Sequence, residues 1–197
     1  MEDYNTIRAL IEKLRDRDDE VRFDAVLQLR ERVDLRATED LLSILSDARK
    51  ISPVNFDDLQ FEVINLIEQC GPAAIHRLAI ELENKDQKLR ETIAYRLQFV
   101  GEPALPGLLR AFLNEDKDIS LLARNTLLEV GESAVPYLVA VLNNNNNHVR
   151  REALRALCFI LEDEAEPYAR VLVSDPDDKI RAMAQGYLTE LQNGKTH

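Results

Sequence analysis

The sequence predicts an all-α chain, a solenoid of about six helical pairs, and three observations predict it. Gly71, Gly101 and Gly131 recur with a period of thirty residues. Pro106 and Pro136 keep the same spacing, and Pro167 follows one residue late. The step from a polar to an apolar residue at Asp86 and Leu89 recurs at Asp116 and Ile119, Asn146 and Val149, and Asp177 and Ile180. Self-similarity at such a period marks a repeat architecture, in which each unit buries its apolar face against its neighbours. No segment alternates for long enough between hairpin turns to read as a strand.

The units run approximately 1–35, 36–70, 71–100, 101–130, 131–160 and 161–191, with a tail at 192–197, and read as a single domain. In the first unit, Ile7–Leu14 is the first helix and "DDEVRFDAVLQL" at 18–29 the second. Residues 37–70 make a second pair, its turn lengthened by "ARKISPVNF". In later units the first helix starts after the glycine, with proline in its first turn, where a missing N–H costs little. A polar turn such as "ENKDQK", "NEDKD" or "NNNNNH" follows, and Asp86, Asp116 or Asn146 can cap the next helix. The second helix, "VRREALRALCFI" in the fifth unit, puts Val149, Ala153, Leu157 and Ile160 on one face. Counting Val149 as slot 1, the core slots are 1, 5, 9 and 12. The glycine then ends the helix as a C-cap.

Composition narrows the function. A hydrophobic fraction of 45% is enough for a continuous core. No apolar run is long enough to span a membrane, and the charged start "MEDYNTIRALIEKLRDRDDE" does not read as a signal peptide. Cys70 and Cys158 are too few for a disulfide scaffold or a zinc site, so a cytoplasmic location is expected. Net charge is −11, concentrated in residues 1–35 (−3), 36–70 (−4) and 161–191 (−5), while 71–100 and 131–160 carry +1 each. Nucleic-acid binders need a basic stripe to displace counterions, so neither nucleic acid nor membrane is an expected partner.

Catalytic machinery is not apparent. The chain has no glycine-rich phosphate loop, no Ser-His-Asp pattern and no paired-histidine metal motif. His76 and His148 read as solvated helix-end residues, and Cys70 and Cys158 as small buried hydrophobes. The expectation is a monomeric protein that is not an enzyme, with no cofactor, metal or catalytic residue.

The pattern "D-x-x-V-R-x-x-A", followed by "A-L" and a glycine with a downstream proline, resembles the HEAT-repeat family. The thirty-residue period looks like its short subgroup, the repeats named after phycobilisome lyases. That resemblance implies a right-handed superhelix with second helices lining the concave face. It also implies a ladder of ion pairs between Arg22, Arg90, Arg150 and Arg181 and the acids Asp18, Asp86 and Asp177, interrupted at Gln60 and Ser120. Two functions implied by resemblance stand behind the main reading. One is a bilin lyase subunit or phycobiliprotein-binding factor. The other is a HEAT-type DNA-repair enzyme, which conflicts with the acidic charge.

The second helices carry the candidate site. Slots 3, 7 and 11 point away from the core at 100° per residue. A solvated face should be polar there, yet five of the eleven aromatic residues fall on these slots. The candidate partner-binding residues are Phe23, Phe61, Asn65, Tyr95, Phe99, Leu121, Asn125, Arg151, Arg155 and Phe159. The alternative for slot 11 is that Phe99 and Phe159 are covered by the adjacent unit as core. Tyr, Phe and Arg anchor protein interfaces, so the expected function is a scaffold holding a protein or peptide segment in its concave groove, with Tyr95 and Leu121 of adjacent units forming one exposed patch.

Overall fold

The computed structural model describes residues 4–52 and 55–194, and every regular element among them is helical. The chain divides into two compact units, Met1–Leu97 and Gln98–His197. The first holds α1 (Tyr4–Lys13), α2 (Asp19–Arg30), α3 (Thr38–Ile51), α4 (Phe56–Gln69), α5 (Pro72–Ile80) and most of α6 (Gln87–Val100). The second holds α7 (Leu105–Phe112), α8 (Lys117–Val130), α9 (Val135–Ala140), α10 (Asn147–Leu161), α11 (Glu166–Leu172) and α12 (Asp178–Gln192). Helices pack as consecutive pairs: α1 on α2 and α3 on α4 in the first unit, α7 on α8, α9 on α10 and α11 on α12 in the second. The second helices also meet one another, α2 beside α4 and α8 beside α10.

Slots 5 and 9 supply the core: Ala25 and Leu29, Val63 and Ile67, Ile93 and Leu97, Ala123 and Leu127, and Ala153 and Leu157 are all fully buried. At Ala25, Ala123 and Ala153 the slot-5 residue is small, which leaves room for a neighbouring helix to approach closely. Slot 12 is buried at Cys70, the C-cap of α4, and half-buried at Val100, Val130 and Ile160.

The turn inside five of the pairs is a repeated hydrogen-bonded module; in the second pair, Asn55 at the start of α4 makes no side-chain cap bond. The side chains of Asp16, Asn84, Asn114, Asn144 and Asp175 each accept the backbone N–H two residues on, at 2.8–3.0 Å. The residue so held is the cap of the next helix: Asp18, Asp86, Asp116, Asn146 and Asp177 each accept a backbone N–H from the first helical turn. The recurrent arginine closes the module from below. Nη1 of Arg22, Arg90, Arg150 and Arg181 donates to the carbonyl six residues back, at 2.5–2.8 Å. The expected acid ladder therefore takes a different form. Asp18, Asp86 and Asp177 serve as caps, because an acceptor at that position satisfies helix N–H groups that otherwise lack partners. Where arginine is missing, Ser120 donates to the Phe112 carbonyl at 2.7 Å, and Oε1 of Gln60 is buried without a partner.

Two further expectations change. In the second pair, "ARKI" belongs to α3, which runs for 14 residues, so the extra length lies in the helix. Pro53 and Val54, also placed in that turn, lie outside the described residues. Gly71, Gly101 and Gly131 all have positive φ, as the C-cap reading requires. In the sixth pair Glu162 takes the corresponding place, with φ 45.

Candidate partner-binding face

Each stripe residue is at least partly open to solvent. Phe23, Phe61, Tyr95, Phe99 and Phe159 range from 44% (Phe61) to 70% (Phe159) exposed. Asn125 and Arg155 are exposed too, and Asn65, Leu121 and Arg151 are half-buried. The slot-11 aromatics Phe99 and Phe159 are thus the most exposed of the set, and the core alternative does not describe them. Leu121 departs from the expectation of a solvent-exposed groove residue, and it belongs to the second compact unit while Tyr95 belongs to the first.

In the first unit, α2 and α4 lie side by side and leave a cleft of about 200 Å³. Phe23, Val26 and Leu59 form its apolar lining, with Asp19, Asp58 and Glu62 among its polar residues. Arg22 also lines it, but its guanidinium is taken up by the Asp16 carbonyl, the Ser52 hydroxyl and Asp19. Farther along α4, Arg96 reaches across from α6. Its guanidinium sits 4.7 Å from the Phe61 ring centroid, donates to Asn65 Oδ1 at 2.7 Å and pairs with both Glu68 oxygens. Phe61 and Asn65 are therefore held by a residue that the slot count omitted. Arg96 sits at slot 8, between the stripe and the core, and only its long side chain brings it there.

In the second unit the stripe converges on a carboxylate that the sequence reading missed altogether. Glu152, at slot 4 of α10, is 2% exposed at its side chain. Three guanidinium groups surround it: Arg124 from α8 at 2.7 Å, Arg151 at 3.1 Å and Arg155 at 3.2 Å. Burial alone would raise its pKa, but the bond from Arg151 and the charges of Arg155 and Arg124 outweigh that and hold it below the usual carboxylate range. Arg151 also meets His148 Nδ1 at 3.1 Å, and Arg124 donates to Asn125 Oδ1 at 2.8 Å. His148 is not the solvated helix-end residue expected from its place in the turn. Its Nε2 is buried without a partner, and burial lowers its pKa. The available signal was the arginine pair at Arg151 and Arg155 one turn apart, with an acid between them.

The thiols are far from reactive. Burial pushes both Cys70 and Cys158 up to about 11, so little thiolate forms near neutrality.

No family model matches the chain, and no curated protein matches it. Among solved structures, it is similar to an engineered protein at 17% identity and a TM-score of 0.36, over 96% of this chain and 97% of that one. It is similar to a second engineered protein at 18% identity and 0.38, over 98% and 100%. A designed armadillo repeat protein, in complex with the peptide (KR)4, is similar at 14% identity and 0.38, over 93% and 98%. Likeness this low carries no argument about family or partner. The all-helical repeat stands on the chain's own geometry.

Proposed function

We propose that this protein is a non-catalytic scaffold that holds a protein or peptide segment against the exposed faces of its second helices. The observation behind this reading is that all five aromatic residues of the stripe are exposed in the free chain. Large apolar side chains left mostly in solvent at regular positions contribute little to folding, and they supply contact area when a partner covers them. Nucleic acid is a poor candidate beside a net charge of −11. Kinship with the thirty-residue HEAT-like repeats belongs to the same proposal, supported by the recurring positive-φ glycine and the arginine-to-carbonyl bond. A bilin-lyase or phycobiliprotein role has only that kinship behind it, which is analogy. Unchanged pigment absorbance on co-production with a phycobiliprotein and its bilin would remove it.

The test compares the wild-type chain with a Phe23→Ala, Phe61→Ala, Phe159→Ala variant in capture from native lysate and in denaturant melts. The scaffold reading expects captured proteins to be lost while the melt shifts little. Retained capture, or a melt collapsed by several kcal/mol as core truncations give, overturns it.

A further inference from the structure

The arginine cluster of the second unit is costly as pure architecture. Arg151 and Arg155 are one turn apart on α10, a like-charge spacing that weakens a helix, and Arg124 adds a third guanidinium from α8. One buried carboxylate, Glu152, cannot neutralise three cations. His148 lies within the influence of Arg151, Lys117 and Arg124 as well as of Glu152. In a chain of net charge −11 this local excess is unlike its surroundings. Glu152 does something more specific than neutralise: by engaging one nitrogen of Arg155 and two groups of its neighbours, it fixes the direction of the fan. Arg155 keeps 54% of its side chain exposed, and Phe159, one further turn along the same face, is the most exposed aromatic of the stripe.

We propose that Arg155, held at the open edge of the Arg124–Arg151–Arg155 fan, is the anchor for an acidic segment of a protein partner, with a side-chain carboxylate meeting its exposed guanidinium edge and an adjacent apolar residue covering Phe159. This rests on the scaffold reading and names the chemistry of the partner. Guanidinium groups held in place take a carboxylate with two parallel hydrogen bonds and lose little side-chain freedom in doing so. A long polyanion such as nucleic acid would meet the acidic remainder of the chain, whereas a short segment makes its contacts within about a Debye length, roughly 8 Å at physiological salt.

The experiment is fluorescence anisotropy on the full chain with three labelled probes: a short peptide alternating glutamate and phenylalanine, its lysine counterpart, and a single-stranded oligodeoxynucleotide of equal charge to the acidic peptide. The acidic peptide should bind, and weaken with added salt. Arg155→Ala and Phe159→Ala should each weaken it about tenfold. Phe159→Ala should leave the thermal melt in place because that ring is exposed, and Arg155→Ala should lower it only slightly because Arg124 and Arg151 still hold Glu152. Arg155→Lys should recover only part of the loss, since an ammonium cannot form the paired bonds. Binding of the lysine peptide alone, or loss only with Phe23→Ala and Phe61→Ala, overturns the anchor but leaves the scaffold standing. Preference for the oligonucleotide overturns the choice of partner. Failure of both peptides, together with unaltered lysate capture by the triple variant, removes the scaffold as well.

Discussion

Arg150 and Asp175 form a buried, two-bond ion pair between the fifth and sixth helical pairs. Nε and Nη2 of Arg150 meet the two carboxylate oxygens at 2.8 Å each, and the side chains are 9% and 2% exposed. The same arginine donates Nη1 to the Asn144 carbonyl, and the same aspartate accepts the Asp177 N–H. One ion pair thus joins the turn module of one unit to that of the next.

Breaking this pair from one side should be severe. Arg150→Met leaves Asp175 buried and ionised without its partner, a change that costs about 3–5 kcal/mol. Replacing both with apolar residues should cost much less, because no charge then stays behind. Denaturant titrations of the single and double variants check this, and equal losses would mean that the pair acts only through packing.

The pair also makes stability depend on acid. Hydrogen bonding to Arg150 holds the Asp175 carboxyl below its ordinary value. A depressed carboxylate contributes stability that is fully present above its unfolded pKa, near 3.9, and is lost as pH falls through the folded value. The denaturant midpoint should therefore fall between about pH 5 and pH 2. Arg150→Met should flatten part of that fall, and an identical pH profile in the variant would contradict the assignment.

Glu162 occupies the place that glycine holds in three earlier pairs. Its φ of 45 and ψ of −122 parallel Gly131, at 75 and −140. No atom lies within 4 Å of where a Cβ would stand at Gly131, so the backbone, rather than space, selects glycine there. A non-glycine residue in this region costs on the order of 1–3 kcal/mol. Glu162→Gly should stabilise by about 1 kcal/mol, after the added freedom of the unfolded chain is subtracted, and Gly131→Glu should destabilise. Calorimetry of both variants tests the pair, and the same sign for both would refute it.

Cys70 is buried at slot 12, with its thiol directed at the Leu66 carbonyl at 3.2 Å, whereas Cys158 at slot 10 is half-buried. Cys70→Ser should cost about 1 kcal/mol, near the lower end for burying a hydroxyl, because that carbonyl can accept the new O–H. Cys158→Ser should cost less. Equal shifts in denaturant midpoint would show that the two slots are equally enclosed.

What the thirty-residue period determined is everything local to one helical pair. Spacing alone placed the caps at Asp116 and Asn146, the buried residues at slots 5 and 9, and the outward aromatics Phe23 and Phe159, because side-chain direction along a helix follows from 100° per residue. Expectations that depended on a second segment of chain fared otherwise. Arg22, Arg90 and Arg181 donate to backbone carbonyls, and Arg22 and Arg181 meet Asp19 and Asp178 in place of the capping acids, since a long guanidinium can choose among acceptors that the one-dimensional pattern does not rank. Glu152 reads from its slot as a helix-surface residue, and its burial comes from Arg124 arriving on α8. Arg96 reaches Phe61, and Arg150 reaches Asp175, over separations of 35 and 25 residues. Those contacts, and with them the charge of the candidate site, were decided only by packing, because electrostatic partners are set by distance in space and the sequence records distance only along the chain.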